Sequence, residues 1–190
     1  MIHRRTVIAG TLAVMTAPIA ARAEGQAAVS RITAYTFSFP ALESGNIRLA
    51  EYTGHPFLVV NTASQCGYTP QYAGLQELWT EFHGRGLSII GVPSNDFGGQ
   101  EPGGAKEIAE TAQHQYAVTF PIAAKAVVVG PGAHPFYRWA ADARPKDVPK
   151  WNFHKYLIGR DGYIAEVFPS AVEPTDTRVK TAIARVLGVT

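Results

Sequence analysis

The chain has 190 residues, a formal net charge of +2 and a single cysteine. Its length favours one domain, and its 46% apolar and 17% charged residues exclude a disordered chain. The near-zero net charge gives no electrostatic basis for binding nucleic acid, and the dispersed glycines and prolines exclude a collagen-like repeat.

The N-terminal segment has the pattern of a secretory signal peptide over residues 1–23. Arg4 and Arg5 precede an apolar run over residues 7–21, and Ala21-Arg22-Ala23 is a small-x-small cleavage site. The run is too short and too interrupted for a membrane-spanning helix, which needs about 20 apolar residues. The arginine pair also resembles the twin-arginine export pattern, so both export routes remain open. We expect a periplasmic or secreted protein whose mature domain covers residues 24–190.

The first half of the mature chain predicts a β-hairpin followed by a βαβ unit. Ala34–Phe39 and Ile47–Tyr52 are short strand-like runs around a polar turn. Phe57–Val60 and Leu87–Val92 are continuous apolar runs, typical of strands buried on both faces. Apolar residues at helical spacing lie between them: Tyr72, Leu75, Leu78, Trp79 and Phe82. This order predicts a parallel strand pair with a right-handed crossover.

At the start of the predicted crossover helix, Thr69 is an N-cap candidate and Pro70 a candidate first helical residue. Gly84 or Gly86 is expected to end that helix.

The second half of the chain predicts two helices, a hairpin and a final helix. Gly104–Tyr116 and Ala133–Ala143 are the helical candidates, and Tyr156–Ile158 with Tyr163–Phe168 flank a Gly-Arg-Asp-Gly turn. A helix with apolar residues on one face follows Pro174. The element order predicts an α/β fold: a thioredoxin-like three-layer sandwich with a central mixed sheet and an added N-terminal β-hairpin.

Cys66 lies between a predicted buried strand and the start of a predicted helix. Free N–H groups and the helix dipole favour an anion there, and the thiolate is the nucleophilic form of cysteine. The alternative is a small buried apolar residue, as many free cysteines are. Thr69 stands where a Cys-x-x-Cys pair would have its second sulfur, which excludes disulfide exchange of the thioredoxin type.

Three segments resemble the signatures of the glutathione peroxidase family, in the family's order and spacing. They are residues 61–69 around Cys66, residues 95–103 around Gln100, and Trp151-Asn152-Phe153 followed by Lys155-Tyr156-Leu157. The resemblance extends from about Ala34 to Leu187. It implies a thioredoxin-like fold and an oxidoreductase that reduces hydrogen peroxide and organic or lipid hydroperoxides as part of the oxidative stress response. No cofactor is implied; glutathione or another thiol, small or on a protein, is the reducing co-substrate.

The resemblance also assigns the catalytic residues. Cys66 matches the peroxidatic position, and Gln100, Trp151 and Asn152 match the family's glutamine, tryptophan and asparagine. Their amides and indole N–H are neutral donors, suited to stabilising a thiolate and then the charge on the departing oxygen. On the residues alone, each has another interpretation: a core aromatic for Trp151, a turn residue for Asn152 and a solvated amide for Gln100.

The chain departs from many cysteine-type members of the family at two positions. Ala112 stands at the resolving-cysteine position, and Ser94 replaces a further family cysteine. A one-cysteine cycle with an external thiol is therefore expected, and with it exposure of Cys66 to overoxidation. The short segment Ala140–Lys150, compared with tetrameric members, predicts a monomer with an open site that admits bulky hydroperoxides.

Two other functions remain open on the sequence. A peroxide sensor or relay would pass the oxidation of Cys66 to a protein partner, and a noncatalytic binding module would leave Cys66 inert. No stable membrane insertion is expected. A metal site is not predicted either, since the histidines are scattered without ligand spacing: His55, His83, His114, His134 and His154.

Overall fold

Residues 32–188 are described by the computed structural model, and the predicted signal peptide lies outside them. The predicted hairpin is present but shorter than expected: β1 is Ser38–Pro40 and β2 is Asn46–Arg48, paired antiparallel. Its outer ends, Ala34–Thr36 and Leu49–Tyr52, form 3-10 turns instead of strands. Ala34 and Leu49 are fully buried in the apolar cluster beneath the hairpin, so packing against the main body decides the backbone there.

A four-stranded mixed sheet forms the centre of the domain. Its strands are β3 (Phe57–Thr62), β4 (Ser88–Pro93), β5 (Lys155–Ile158) and β6 (Ile164–Phe168), in the order β4-β3-β5-β6. β3 runs parallel to β4 and antiparallel to β5, and β5 pairs antiparallel with β6. Every residue of β3, β4 and β5 is buried, which confirms the interpretation of the continuous apolar runs.

Helices cover both faces of this sheet. They are α1 (Gln71–Phe82), α2 (Ala105–Ala109), α3 (Pro135–Ala143) and α4 (Thr177–Leu187). Leu58 and Val60 of β3 pack in one apolar cluster with α1 and α4, whereas Phe57 and Val59 pack in another with α3 and the hairpin. Alternate residues of one strand thus supply opposite cores, and the predicted three-layer sandwich is confirmed.

Three predicted helices have different bounds in the structure. α3 begins at Pro135 and not at Ala133, because the His134 side chain caps it by accepting the Phe136 N–H. The helix expected over 104–116 is α-helical only through α2 and continues as a π-helical stretch, Glu110–Gln115. The Tyr116 N–H bonds the Thr111 carbonyl, five residues back, in keeping with the wider turn. The crossover helix begins at Gln71 with Pro70 at its N-cap, because the Thr69 side chain is bonded elsewhere. The helix gives way to a 3-10 turn that ends at Gly86, which adopts a φ of 100°.

Candidate active site

Cys66 lies in the loop that connects β3 to α1. Thr69 Oγ1 accepts the Cys66 N–H at 3.0 Å and donates to the Ala63 carbonyl at 2.9 Å. Thr69, at the position where a Cys-x-x-Cys pair would have its second sulfur, therefore holds the two sides of the Cys66 loop together. This bonding also explains why Thr69 does not cap α1.

The sulfur of Cys66 accepts one hydrogen bond within residues 32–188. The donor is the Tyr68 backbone N–H, 3.4 Å from Sγ. Cys66 is 8% exposed and belongs to the apolar cluster between the sheet and α1. The site therefore combines a buried sulfur with one backbone donor directed at it.

Gln100 and Asn152 are brought into direct contact. Asn152 Nδ2 donates to Gln100 Oε1 at 2.9 Å, and the Gln100 carbonyl accepts the Gln65 N–H at 3.0 Å. The second bond ties the loop of Gln100 to the residue that precedes Cys66. With its oxygen engaged by Asn152, the Gln100 amide keeps its nitrogen as a donor that has no partner within the described chain.

Trp151 lies at the edge of the same group of residues and is 39% exposed. Its ring packs against Phe97, with centroids 6.0 Å apart. A Cβ at Gly98 would lie 3.4 Å from the Trp151 ring and 3.5 Å from Gln100 Cγ, so both side chains border Gly98. The core-aromatic interpretation of Trp151 is therefore wrong, and its indole N–H has no hydrogen-bond partner within residues 32–188.

The four predicted residues thus form two connected parts. Gln100, Asn152 and Trp151 are neighbours, and the Gln65–Gln100 backbone bond joins them to the cysteine loop. None of the three side chains donates a hydrogen bond to Cys66 Sγ in this structure of residues 32–188.

Asn61, at the end of β3, is a positioning residue that the sequence analysis did not single out. Its side chain donates to the Trp151 carbonyl at 3.1 Å and accepts the His154 N–H at 3.1 Å. Its own carbonyl accepts the Phe153 N–H at 2.6 Å. An asparagine at the end of a fully buried apolar strand was the available signal, since such a polar side chain needs partners.

Lys155 is a second positioning residue that the sequence analysis did not single out, and its side chain bonds the backbone of the same turn. The side chain is fully buried, and Nζ donates to the Gln71 side chain, the Phe153 carbonyl and the Val172 carbonyl at 2.7, 2.7 and 2.8 Å. Burial lowers the pKa of Lys155 to about 7. Phe153 itself has a φ of 62°, which is uncommon for a residue with a side chain. The turn that presents Trp151 and Asn152 is therefore held by bonds at both ends.

Glu101 is a buried carboxyl group directly after Gln100. Its Oε2 accepts the Ser64 hydroxyl at 3.2 Å, and its N–H bonds the Asn95 side chain at 2.9 Å. Burial raises the pKa of Glu101, while the Ser64 hydrogen bond and the charge of Lys125 act in the opposite direction. These contacts give the segments around Cys66 and Gln100 a second connection besides their backbone bond.

Of the five histidines named in the sequence analysis, only His154 lies beside the candidate site within residues 32–188. It is 5% exposed, and burial, with the charge of Lys155, lowers its pKa to about 4. The imidazole is therefore neutral at physiological pH. Across residues 32–188, no group of three or more metal-ligating side chains occurs, and no helix is long and apolar enough to cross a membrane.

Comparison with known proteins gives a family match and a fold match. The profile of the family described as Glutathione peroxidase matches residues 34–141. The hydroperoxy fatty acid reductase gpx1 of a Synechocystis strain is 42% identical over 154 residues, covering 76% of this chain and 90% of that protein.

Solved structures agree with the domain architecture. The crystal structure of Trgpx in its apo form matches with a TM-score of 0.69 at 31% sequence identity, and the match covers 84% of this chain and 97% of the Trgpx chain. A thioredoxin-family thiol:disulfide interchange protein of Chlorobium tepidum has a TM-score of 0.61 at 14% identity, covering 80% and 93%. The second likeness concerns the fold alone and confirms the thioredoxin-like prediction.

Proposed function

Because this chain belongs to the glutathione peroxidase family and is a peroxidase, we propose that it works by a one-cysteine cycle in which Cys66 is the reacting thiol and an external thiol is the reductant. One observation carries the proposal: the only cysteine of the chain lies in a loop that the Gln65–Gln100 hydrogen bond joins to the segment of Gln100. Gln100 Nε2 and the neighbouring Trp151 indole N–H have no hydrogen-bond partner within residues 32–188. Ala112, at the resolving position, is fully buried and has no sulfur.

In the first step, the Cys66 thiolate attacks the terminal, hydrogen-bearing oxygen of a hydroperoxide. A sulfur–oxygen bond forms as the O–O bond breaks, and the alkoxide or hydroxide leaves and takes up a proton to become an alcohol or water. The sulfur is oxidised by two electrons to a sulfenic acid. Gln100 Nε2 and the Trp151 indole N–H are the donors that stabilise the charge on the departing oxygen.

Two external thiols complete the cycle. The first condenses with the sulfenic acid, releasing water and forming a mixed disulfide with Cys66. The second attacks the sulfur of the first in that mixed disulfide, so the two external thiols leave joined as a disulfide and the Cys66 thiolate is restored. Glutathione, another small thiol or a protein thiol each satisfies this chemistry.

Organic and fatty hydroperoxides are included among the proposed substrates. A relative that is 42% identical bears the name hydroperoxy fatty acid reductase, and Trp151, beside the site, is 39% exposed. Both observations favour a site that admits substrates larger than hydrogen peroxide. We also propose export by the segment 1–23 and a monomeric mature protein, which N-terminal sequencing of the periplasmic fraction and light scattering after gel filtration will test.

The test is rapid-mixing oxidation of the mature protein by hydrogen peroxide and by cumene hydroperoxide, followed by tryptophan fluorescence and by mass spectrometry of the sulfur. We expect oxidation far faster than that of free cysteine, a sulfenic acid as first product, and repeated turnover once glutathione is added. The Cys66→Ser protein is the matched control and is expected to be inert.

Three outcomes would contradict the proposal in different ways. Oxidation no faster than that of free cysteine would favour the noncatalytic module. Fast oxidation followed by a stall with every small thiol would favour the sensor or relay. A turnover that proceeds without any mixed disulfide on Cys66 would overturn the one-cysteine cycle.

A further inference from the structure

Lys155 is the only lysine among residues 32–188 that is fully buried. Its Nζ donates to three oxygens: Gln71 Oε1, the Phe153 carbonyl and the Val172 carbonyl. No carboxylate bonds this nitrogen in that part of the chain. The three oxygens belong to the start of α1, to the turn of residues 151–153, and to the connection between β6 and α4. We refer to residues 151–153, which carry the tryptophan and asparagine of the candidate site, as the donor turn.

The number of acceptors shows which protonation state of Lys155 fits this geometry. An ammonium group has three N–H donors and no lone pair, and oxygens at 2.7, 2.7 and 2.8 Å use all three donors. A neutral amine would keep two N–H groups and direct its lone pair at the third oxygen. The two carbonyls cannot become donors, and Gln71 Nε2 already donates to the Ser170 carbonyl at 2.7 Å. Loss of one proton therefore costs this cluster at least one hydrogen bond.

The donor turn is the part of the cluster with a strained backbone. Phe153 has a φ of 62°, and such a conformation persists only where the surrounding structure holds it. Its N–H bonds the Asn61 carbonyl at 2.6 Å, and its carbonyl bonds Lys155. Phe153 also lies in the same apolar cluster as Cys66. Loss of the bond at its carbonyl removes one of the two contacts that hold this conformation beside the site.

We propose that Lys155 is a positioning residue whose third proton keeps the donor turn in its reactive arrangement, so that Cys66 reacts more slowly with peroxide when Lys155 becomes neutral. The proposal rests on the proposed function for its reaction and adds to it a dependence on the charge of a residue that acts through the turn. Rising pH then has two opposite effects. It increases the thiolate fraction of Cys66, and it loosens the turn that assists the reaction of that thiolate.

The groups that face Lys155 place this change near neutral pH. Burial lowers the pKa of Lys155 to about 7, and the charge of Glu173, in the connection between β6 and α4, acts in the opposite direction. His154 stays neutral in this range because its pKa is lowered to about 4. From α1, Tyr72 packs on Phe153, and burial raises its pKa, so it stays neutral as well. Of these groups, Lys155 is the one that changes charge as pH rises through 7.

The decisive experiment follows the donor turn without any reaction. The Cys66→Ser protein is labelled with 5-fluorotryptophan, and its fluorine NMR spectrum is recorded from about pH 6 to about pH 9. Trp151→Phe identifies the Trp151 resonance. Trp139, whose indole N–H bonds the Ile32 carbonyl at 2.9 Å, is the internal reference. We expect the Trp151 resonance to move with a midpoint near pH 7 while the Trp139 resonance stays in place.

Two charge variants in the Cys66→Ser background assign the midpoint to Lys155. Glu173→Gln removes the negative charge that favours the protonated lysine, so the midpoint is expected to fall by about 0.2–0.7 pH unit, the range for a solvent-screened ion pair. Glu77→Gln removes one charge at an exposed position of α1 and is expected to leave the midpoint unchanged. Both substitutions are at exposed positions, so this comparison does not depend on whether Lys155 itself can be replaced.

A second pair of variants removes the amino groups. Lys155→Met is expected to abolish the transition and to leave the Trp151 resonance near its alkaline position at every pH. Lys125→Met is the matched control, because Lys125 Nζ also donates to three backbone carbonyls but belongs to an exposed residue. It is expected to keep the transition. A Trp151 resonance that does not move in the parent, or that moves equally in Lys155→Met, overturns the proposal.

A kinetic arm connects the turn with the reaction. With Cys66 intact, the rate of its oxidation by hydrogen peroxide is divided by the thiolate fraction, measured by ultraviolet absorbance. We expect this rate per thiolate to fall at least about tenfold above the midpoint in the parent, and to be low and independent of pH in Lys155→Met. A rate per thiolate that stays constant in the parent overturns the proposal.

The two arms separate this proposal from the preceding one. Failure of Cys66 to react with peroxide at every pH contradicts the proposed function, whereas the fluorine spectra come from a protein that has no reacting sulfur. Fast oxidation with no dependence on Lys155 would leave the peroxidase cycle standing and remove the positioning role alone.

Discussion

The side chain of Asn61 bridges two sides of one turn: Nδ2 donates to the Trp151 carbonyl and Oδ1 accepts the His154 N–H, both at 3.1 Å. The end of the buried strand β3 thus determines where Trp151 and Asn152 lie. Such a bridge fixes the backbone of the turn while leaving the Trp151 indole and the Asn152 amide available. Asn61 acts through these residues and is not itself placed to touch a substrate.

Asn61→Ala is expected to impair both stability and peroxide reactivity. The substitution leaves the Trp151 carbonyl and the His154 N–H without their hydrogen bonds in a largely buried turn. An unpaired buried group costs about 1–3 kcal/mol. We expect the free energy of unfolding to fall by at least about 2 kcal/mol, and the oxidation rate of Cys66 to fall because the turn no longer holds its donors in place. Urea unfolding and rapid-mixing oxidation measure the two effects.

Leu187→Ala is the control for Asn61→Ala. Leu187 is buried at the end of α4, and truncating a buried leucine costs about 2–5 kcal/mol. It is expected to destabilise the fold without slowing the oxidation of Cys66 under conditions where the protein is folded. Equal slowing in both variants would show that Asn61 contributes stability alone.

Gln100→Ala and Asn152→Ala are expected to slow Cys66 oxidation non-additively. Loss of one preorganised donor to a developing oxyanion costs about 100-fold or more. Because Asn152 engages Gln100 Oε1 and so orients its nitrogen, the double variant is expected to react no more slowly than the slower single variant. Gln115→Ala, at an exposed position of the π-helical stretch, serves as the control. Rate losses that multiply would mean that the two amides act separately.

Gly98→Val and Gly99→Val form a matched pair at the site. Both glycines have a φ of 65°, so valine is strained at either position. A side chain at Gly98 would meet Trp151 and Gln100, whereas one at Gly99 would meet nothing within 4 Å. Both variants should be destabilised, but only Gly98→Val should also slow the oxidation of Cys66. Equal rates in the two folded proteins would separate Gly98 from the reaction.

Acid is expected to destabilise the fold through His154. Burial lowers its pKa to about 4 in the folded protein, against an ordinary value of 6.5. Between these values the unfolded chain binds a proton that the folded chain does not, so stability falls as pH decreases from 6.5 toward 4. The contribution is up to about 3 kcal/mol. Urea unfolding at several pH values in this window measures it.

His154→Gln should flatten that part of the pH profile, whereas His114→Gln, at an exposed position, should leave it unchanged. A profile of the same steepness in all three proteins would assign the acid sensitivity to other groups.

The order of strands and helices could be predicted from the sequence because local patterns determine it. Continuous apolar runs identified β3 and β4, and helical spacing identified α1, since burial on two faces or on one face leaves different periodicities. The boundaries that differed, at the hairpin ends and after Ala109, depend on long-range packing or on a widened helical turn. Neither has a signature in a short stretch of sequence.

For the candidate site, the sequence by itself determined that the chain has a single cysteine, and it contains the signatures around Gln100 and Trp151 that predict the site. Only the tertiary structure decided how these segments meet. Asn61, Glu101 and Lys155 became recognisable once their partners, 90, 37 and 84 residues away in sequence, were in place. A buried polar side chain is defined by the partners that satisfy it, and folding alone brings those partners together.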